Sequence, residues 1–184
     1  MSSAVNELWK EIEAWLEKNA PMVMEGLREG ANAESILEMT SVFGSNIPQE
    51  YLDSLRRHNG EAELSDYQYL STTSLISNAS RLCERMKAGE FSEHEIFDPE
   101  AGIIENSWWS KFWVPFAKDS GANYFCIDLN PGPNGMLGQV LRHERLAGPV
   151  VTEFASFTDW LTDYRGKLLS GYYQVNEDGL IEEA

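Results

Sequence analysis

The chain has little of what metal binding, catalysis or membrane insertion requires. Only three histidines and two cysteines occur in 184 residues. His58, His94 and His143 stand far apart, with no pair at the i, i+4 spacing of a helical zinc site and no Cys-x-x-Cys element beside them, so neither a metal nor another cofactor is expected. Glu93-His94-Glu95 sets two carboxylates around one imidazole, a pattern that a plain acidic loop also produces. No apolar run approaches the roughly 20 residues of a membrane span. The N-terminus, MSSAVNELWKEIEAW, carries acids inside its first turns instead of a basic region followed by an apolar one, so a cytoplasmic location is expected. Basic residues are scarce, fourteen against thirty acids, for a net charge of −16. Nucleic acid and anionic membrane surfaces are bound through basic patches, so neither is expected as a partner. A protein with a basic surface is the expected partner, although the same acidity also serves solubility.

What is present is enough for one core. A chain of this length with 42% hydrophobic residues favours a single domain, with a core over about 5–170 and a C-terminal arm over 171–184. Val5, Leu8, Ile12, Trp15 and Leu16 recur at three- and four-residue intervals and predict a first helix that ends before Pro21. Ala33 to Met39 supports a second helix, broken at Gly44. Pro48 restarts a third, and Asn59-Gly60 is expected to end it in the left-handed conformation. Tyr67 to Leu70 reads as a brief strand, with Ser71 or Thr72 capping a fourth helix that Gly89 terminates. Cys83 in that helix and Cys126 in a predicted strand read as lone buried thiols, with one disulfide as the alternative.

The segment from Trp108 to Phe157 is the most informative. Phe112, Val114 and Phe116 alternate with Lys111, Trp113 and Pro115, the period-two pattern of a strand with unlike faces. Asp119-Ser120-Gly121 turns the chain into a second run, Asn123 to Leu129. Pro131-Gly132-Pro133-Asn134-Gly135 then reverses it, a step that positive φ at glycine would permit. Met136 to Leu141 and Pro149 to Phe154 supply two further strands. Ser156 with Asp159 three residues on has the spacing of a helix start, and Gly166 marks a possible end of the helix that follows.

These motifs, in this order, resemble the SUKH superfamily, described through the fungal Smi/Knr cell-wall regulators. The residues that carry the resemblance are Trp108-x3-Phe112-Trp-Val-Pro-Phe-Ala, then Asn123-Tyr-Phe-Cys-Ile-Asp-Leu-Asn-Pro, then Gly135-x-x-Gly-Gln-Val and Ser156-Phe-x-x-Trp-Leu. Phe43-Gly44-x-x-Ile47-Pro48-x-x-Tyr51 leading to His58-Asn59-Gly60 agrees with it, with Ile47 in a position where the family has leucine. The match runs from about Trp9 to Phe157 and the helix beyond, and Ala88 to Ser107 lies outside it. The resemblance implies an α+β domain, with helices around a mostly antiparallel sheet, that works by binding. In bacteria that function is most often immunity, the neutralisation of a toxin; in fungi it is a regulatory scaffold.

The functional expectations follow from both lines. The preferred reading is a cytoplasmic immunity protein that binds a basic toxin domain and is not an enzyme. A regulatory or scaffold protein of the cell-wall-regulator kind is the alternative, and the compact length counts against it. A small hydrolase is retained only through Asp128, an acid at a strand end beside the glycine turn with no second titratable group at a pairing distance. Gly89 to Ser107 holds Glu90, Glu93, Glu95, Asp98, Glu100 and Glu105 with no lysine or arginine. Glu93, Glu95, Asp98, Glu100 and Glu105 are therefore candidate contacts to a basic partner. Trp108 joins them as an anchor, because Trp108, Trp109 and Trp113 on an alternating strand should not all face one core.

Overall fold

Residues 3–92 and 102–184 are described in the computed structural model of the chain. The apolar stripe of the N-terminus forms α1 (Ala4–Asn19), burying Val5, Trp9, Ile12 and Leu16. Pro21 ends it and opens a short α2 (Pro21–Gly26), which the hydrophobic spacing does not announce. Asn32 caps α3 (Ala33–Phe43) by accepting the Ser35 N–H, and Gly44 stops it. Pro48 directly precedes α4 (Gln49–Arg57).

The end of α4 differs from the expectation. His58 leaves the helix in an extended conformation, and the next two residues brace a different helix. Gly60 lies at φ 68°, where a Cβ would come within 2.3 Å of the Leu70 backbone, so the crossing requires glycine. The Asn59 side chain accepts the Thr72 N–H at 2.9 Å, Ser71 Oγ accepts the Ser74 N–H, and the Glu61 carboxylate takes the hydroxyls of Ser71 and Ser74. The first turn of α5 (Thr72–Lys87) is thus capped from three directions.

Five antiparallel strands, in the order β1-β2-β3-β4-β5, form the sheet: β1 (Tyr67–Tyr69), β2 (Trp113–Asp119), β3 (Tyr124–Asp128), β4 (Val140–Glu144) and β5 (Gly148–Val151). The register puts Tyr124, Cys126 and Asp128 on one face and Phe125 and Ile127 on the other. On the first face the Tyr124 hydroxyl meets Asn78 and Arg81 of α5. The second face packs on α6 (Phe157–Ser170), with Trp160 4.9 Å from Phe116 and 6.0 Å from Phe125 between ring centroids. Because both faces are covered, Trp113 to Ala117 are all buried, and the alternation expected of β2 is corrected. A bulge at Phe116 also breaks its period. Phe112, expected within the strand's alternation, lies before the strand and is 36% exposed. Met136 and Leu137 are exposed in the turn before β4 instead of starting it.

Helix α6 starts at Ser156, whose Oγ accepts the Asp159 N–H at 3.1 Å, and runs through Gly166 to a left-handed Gly171 cap. The segment after it forms a hairpin, β6 (Tyr173–Val175) with β7 (Ile181–Glu183). Ile181 is buried in the same hydrophobic cluster that begins at Val5. The molecule is an α+β protein, and among the described residues nearly all its buried apolar side chains form one cluster.

Candidate functional site

Of the residues singled out for partner contact, Glu93, Glu95, Asp98 and Glu100 lie outside the described residues, as does His94. Glu105 is held at home: its Oε2 accepts from Asn130 Nδ2 at 3.0 Å and from Ser110 Oγ at 3.2 Å. Trp108 is only 4% exposed, and Trp109 and Trp113 are buried with it. The expectation of a surface tryptophan is therefore corrected. Trp108 and Trp109 precede β2, where the strand's alternation does not apply, and Gly148 gives Trp108 room. A Cβ at Gly148, which has φ 81°, would stand 3.1 Å from the Trp108 ring.

The three tryptophans enclose His143. Its ring lies 5.0 Å from Trp109, 6.3 Å from Trp108, 6.4 Å from Trp113 and 6.4 Å from Tyr124, centroid to centroid. Burial in this box pulls its pKa from 6.5 down to about 4, so the imidazole is neutral at pH 7.

Asp128 takes the local role that its position beside the turn suggests. Its carboxylate accepts the Asn130 N–H and the Gln139 side-chain amide, both at 3.0 Å. Burial raises its pKa against those hydrogen bonds. The partners at these distances are amides of the turn, and the nearby Glu105 carboxylate adds to the upward shift. The glycine turn also has a different reason than expected. Neither Gly132 nor Gly135 is at positive φ; a Cβ on them would lie 2.2 Å from the Gly102 carbonyl oxygen and 2.1 Å from that of Ile103. The turn is a close-approach surface on which residues 102–104 dock, through Gly132 N–H to Ile103 and Asn134 N–H to Gly102.

A polar network that sequence spacing did not reveal joins α1 to α4. Glu13 accepts from Arg57 Nε at 2.5 Å and Nη2 at 2.6 Å and faces His58 Nε2 at 2.7 Å. Burial alone would raise the Glu13 pKa; the Arg57 and His58 contacts outweigh it and hold the carboxyl below its usual range. Beside this network, Trp9 donates to Ser54 at 2.7 Å, and Ser54 shares a 2.9 Å hydrogen bond with Tyr69. The residues stand 45 and 15 positions apart, so periodicity carried no signal of them. These contacts are structural. Among the described residues no group of three His, Cys, Asp or Glu side chains could hold a metal, and both cysteines are free thiols.

Among the described residues, one open groove is lined largely by aromatic rings. Between β3, β4, α6 and the C-terminal hairpin lies a groove of about 330 Å³ floored by rings. Tyr67 and Phe125 are 4.7 Å apart, Phe125 and Phe154 6.3 Å, Trp160 and Tyr164 6.1 Å, and Tyr164 and Tyr173 5.8 Å. Tyr67, Phe125, Phe154 and Tyr173 are only half-buried. Arg142 rises from the floor, 3.5 Å from Glu144 and 3.9 Å from Asp119, and Lys167 pairs with Asp163 at 2.8 Å. A second cavity, of about 690 Å³, shares Ser65 and Asp66 with the first and continues along Glu63, Asp119 and Glu182. Sequence reasoning missed this site because its rings come from β1, β3, α6, the β5–α6 connection and the hairpin, and only the fold brings them together.

Among the described residues no helix is long and apolar enough to cross a membrane. The chain is 26% identical over 95% of its length to a "Cell wall biosynthesis/cell cycle regulator smi1" of Schizosaccharomyces pombe, covering 38% of that protein. It is 21% identical over 92% of its length to a "Glucan synthesis regulatory protein" of Neurospora crassa, covering 39% of it. To "F-box only protein 3" of Mus musculus it is 24% identical over 97% of its length, covering 37% of that protein. The chain thus spans under two fifths of the length of these relatives. With the model of the SMI1 / KNR4 family (SUKH-1) matching residues 30–163, which include all five strands of the sheet, the chain belongs to that family.

Proposed function

We propose that this protein is a non-catalytic regulatory or scaffold protein that acts in the cytoplasm by binding another protein. The observation that carries the reading is the groove, a half-buried aromatic surface left uncovered between the sheet, α6 and the C-terminal hairpin. Contiguous apolar surface with a polar rim marks interaction sites. The relatives named as regulators support the regulatory half, and the two free thiols fit a reducing compartment. The names of these relatives do not speak of toxin neutralisation, so the immunity reading stands behind the regulatory one. The compact length loses its weight against the regulator, because the match covers under two fifths of each relative. The acids from Glu93 to Glu100 contribute long-range attraction for a basic partner.

The test is isolation of the chain at its native level from cell extract, followed by reconstitution from purified components. A stoichiometric complex whose partner changes activity on binding, without covalent change, is the expected result. A chain that migrates alone at native concentration, or one that turns its partner over, refutes the reading. A partner that kills cells when the chain is withheld returns the immunity reading.

A further inference from the structure

The chemistry of the groove identifies the kind of segment it takes, and this step rests on the protein-binding reading above. We propose that it binds an extended, basic segment of the partner, with Lys or Arg side chains over its tyrosine rings and apolar neighbours seated on Phe125 and Phe154. A space of about 330 Å³ holds a few side chains, and the strand residues that floor it offer the alternating seats that an extended segment matches. The sign of charge is set by the walls. Asp66, Glu144, Glu153, Asp163 and Glu183 line the groove against Arg142 and Lys167. Both bases are already matched, Arg142 by Asp119 and Glu144 and Lys167 by Asp163. Among the described residues no base lies within salt-bridge range of Asp66 or Glu153. The adjoining cavity continues the same sign, with Glu63, Asp119 and Glu182 against Lys118. An anionic or membrane-facing ligand would meet repulsion along both cavities, while a cationic segment is attracted along their whole course.

The rings are arranged to take cations. The protein's own Arg142 lies 6.0 Å from the Tyr67 centroid, and Lys167 lies 5.9 Å from Tyr173 and 5.5 Å from Tyr172. Cations at such distances are attracted to the ring faces. A second cation per ring, supplied by the partner, finds an acidic wall close by: Asp66 is next to Tyr67 in sequence, and Glu183 is opposite Tyr173 across the hairpin. The apolar share comes from Phe125, Phe154 and Val150, which give an extended chain alternating seats for apolar and basic side chains.

The experiment uses the full chain and three labelled dodecapeptides: one of Arg, Pro and Leu, its counterpart with Glu for Arg, and its counterpart with Ser for Leu. Fluorescence anisotropy gives affinity, and amide chemical-shift mapping gives location. The Arg–Leu peptide should perturb Tyr67, Phe125, Arg142, Phe154 and Tyr173. The Glu and Ser counterparts should bind about tenfold more weakly or worse. Glu153→Lys with Glu183→Lys, both exposed and remote from the core, should also cost about tenfold in affinity. Tyr67→Ala should weaken binding and Tyr67→Phe should restore it, which separates the ring from the hydroxyl. Shifts that map elsewhere, an affinity unmoved by the charge reversals, or no binding of the Arg–Leu peptide at about 1 mM overturn the proposal. A natural partner that binds the double variant as tightly as the parent refutes the groove while leaving the protein-binding reading intact. A chain that has no partner in cells but still takes the Arg–Leu peptide refutes only that reading.

Discussion

His143 is buried and neutral at pH 7, so acid should weaken the fold in a way that one substitution removes. The imidazole sits among Trp108, Trp109, Trp113 and Tyr124, and burial lowers its pKa to about 4 against 6.5 for a free ring. Between those values the unfolded chain binds a proton that the folded chain refuses. The contribution is therefore complete above pH 6.5, declines as pH falls, and is fully lost below about pH 4. The slope is about 1.4 kcal/mol per pH unit, which gives about 2 kcal/mol at pH 5 and about 3 kcal/mol in all. The groups facing the ring do not confuse the reading, because burial raises the pKa of the Tyr124 hydroxyl, bonded to Arg81 and Asn78, away from this range. The carboxylates do titrate towards pH 4, and easing their mutual repulsion acts in the opposite direction, so the comparison must be with a variant. His143→Gln and His143→Leu remove the titrating ring at similar volume. Urea unfolding followed by tryptophan fluorescence at pH 7.5, 6 and 5 should show the parent losing about 2 kcal/mol relative to either variant. Parallel pH curves, or a His143 ring that titrates near 6.5 by NMR in the folded protein, would refute the argument.

Trp160 stacks on Tyr164 and Phe157 and meets Phe116 edge-on, so Trp160→Ala should cost about 3–5 kcal/mol in chemical unfolding; an unchanged midpoint would show that α6 does not anchor the sheet. Ser54→Ala leaves the Trp9 N–H and the Tyr69 hydroxyl without their shared partner and should cost about 1–3 kcal/mol by the same measurement. Gly135→Ala brings a Cβ within 2.1 Å of the Ile103 carbonyl oxygen, and should raise amide exchange around residues 102–104 while exchange in α1 stays unchanged.

Much of the fold was legible along the chain, because its signals are local. Among the described residues every helix but α2 follows from apolar spacing and helix-start or helix-stop residues, and Ser71 and Ser156 act as caps from their place in the sequence. Strands β2 to β5 follow from aromatic and β-branched runs, whereas the strand β7 was not expected, and the ordered motifs carried the family. Errors arose where a side chain's surroundings come from distant segments. Trp108 was expected at the surface and is buried beneath Gly148, forty residues on. Gly132 and Gly135 were expected to need positive φ and instead need space for another strand of backbone.

Local pattern and composition carry the long helices, the central strands and the excess of negative charge, since periodicity, capping and composition act within a few residues or over the whole chain. Tertiary structure alone decided which polar groups pair and which aromatic surface stays open. Glu13 meets Arg57 and His58, and Tyr67 meets Phe125, only because antiparallel register and helix packing bring remote segments together. Such contacts are set by long-range geometry, and no local pattern of residues encodes them.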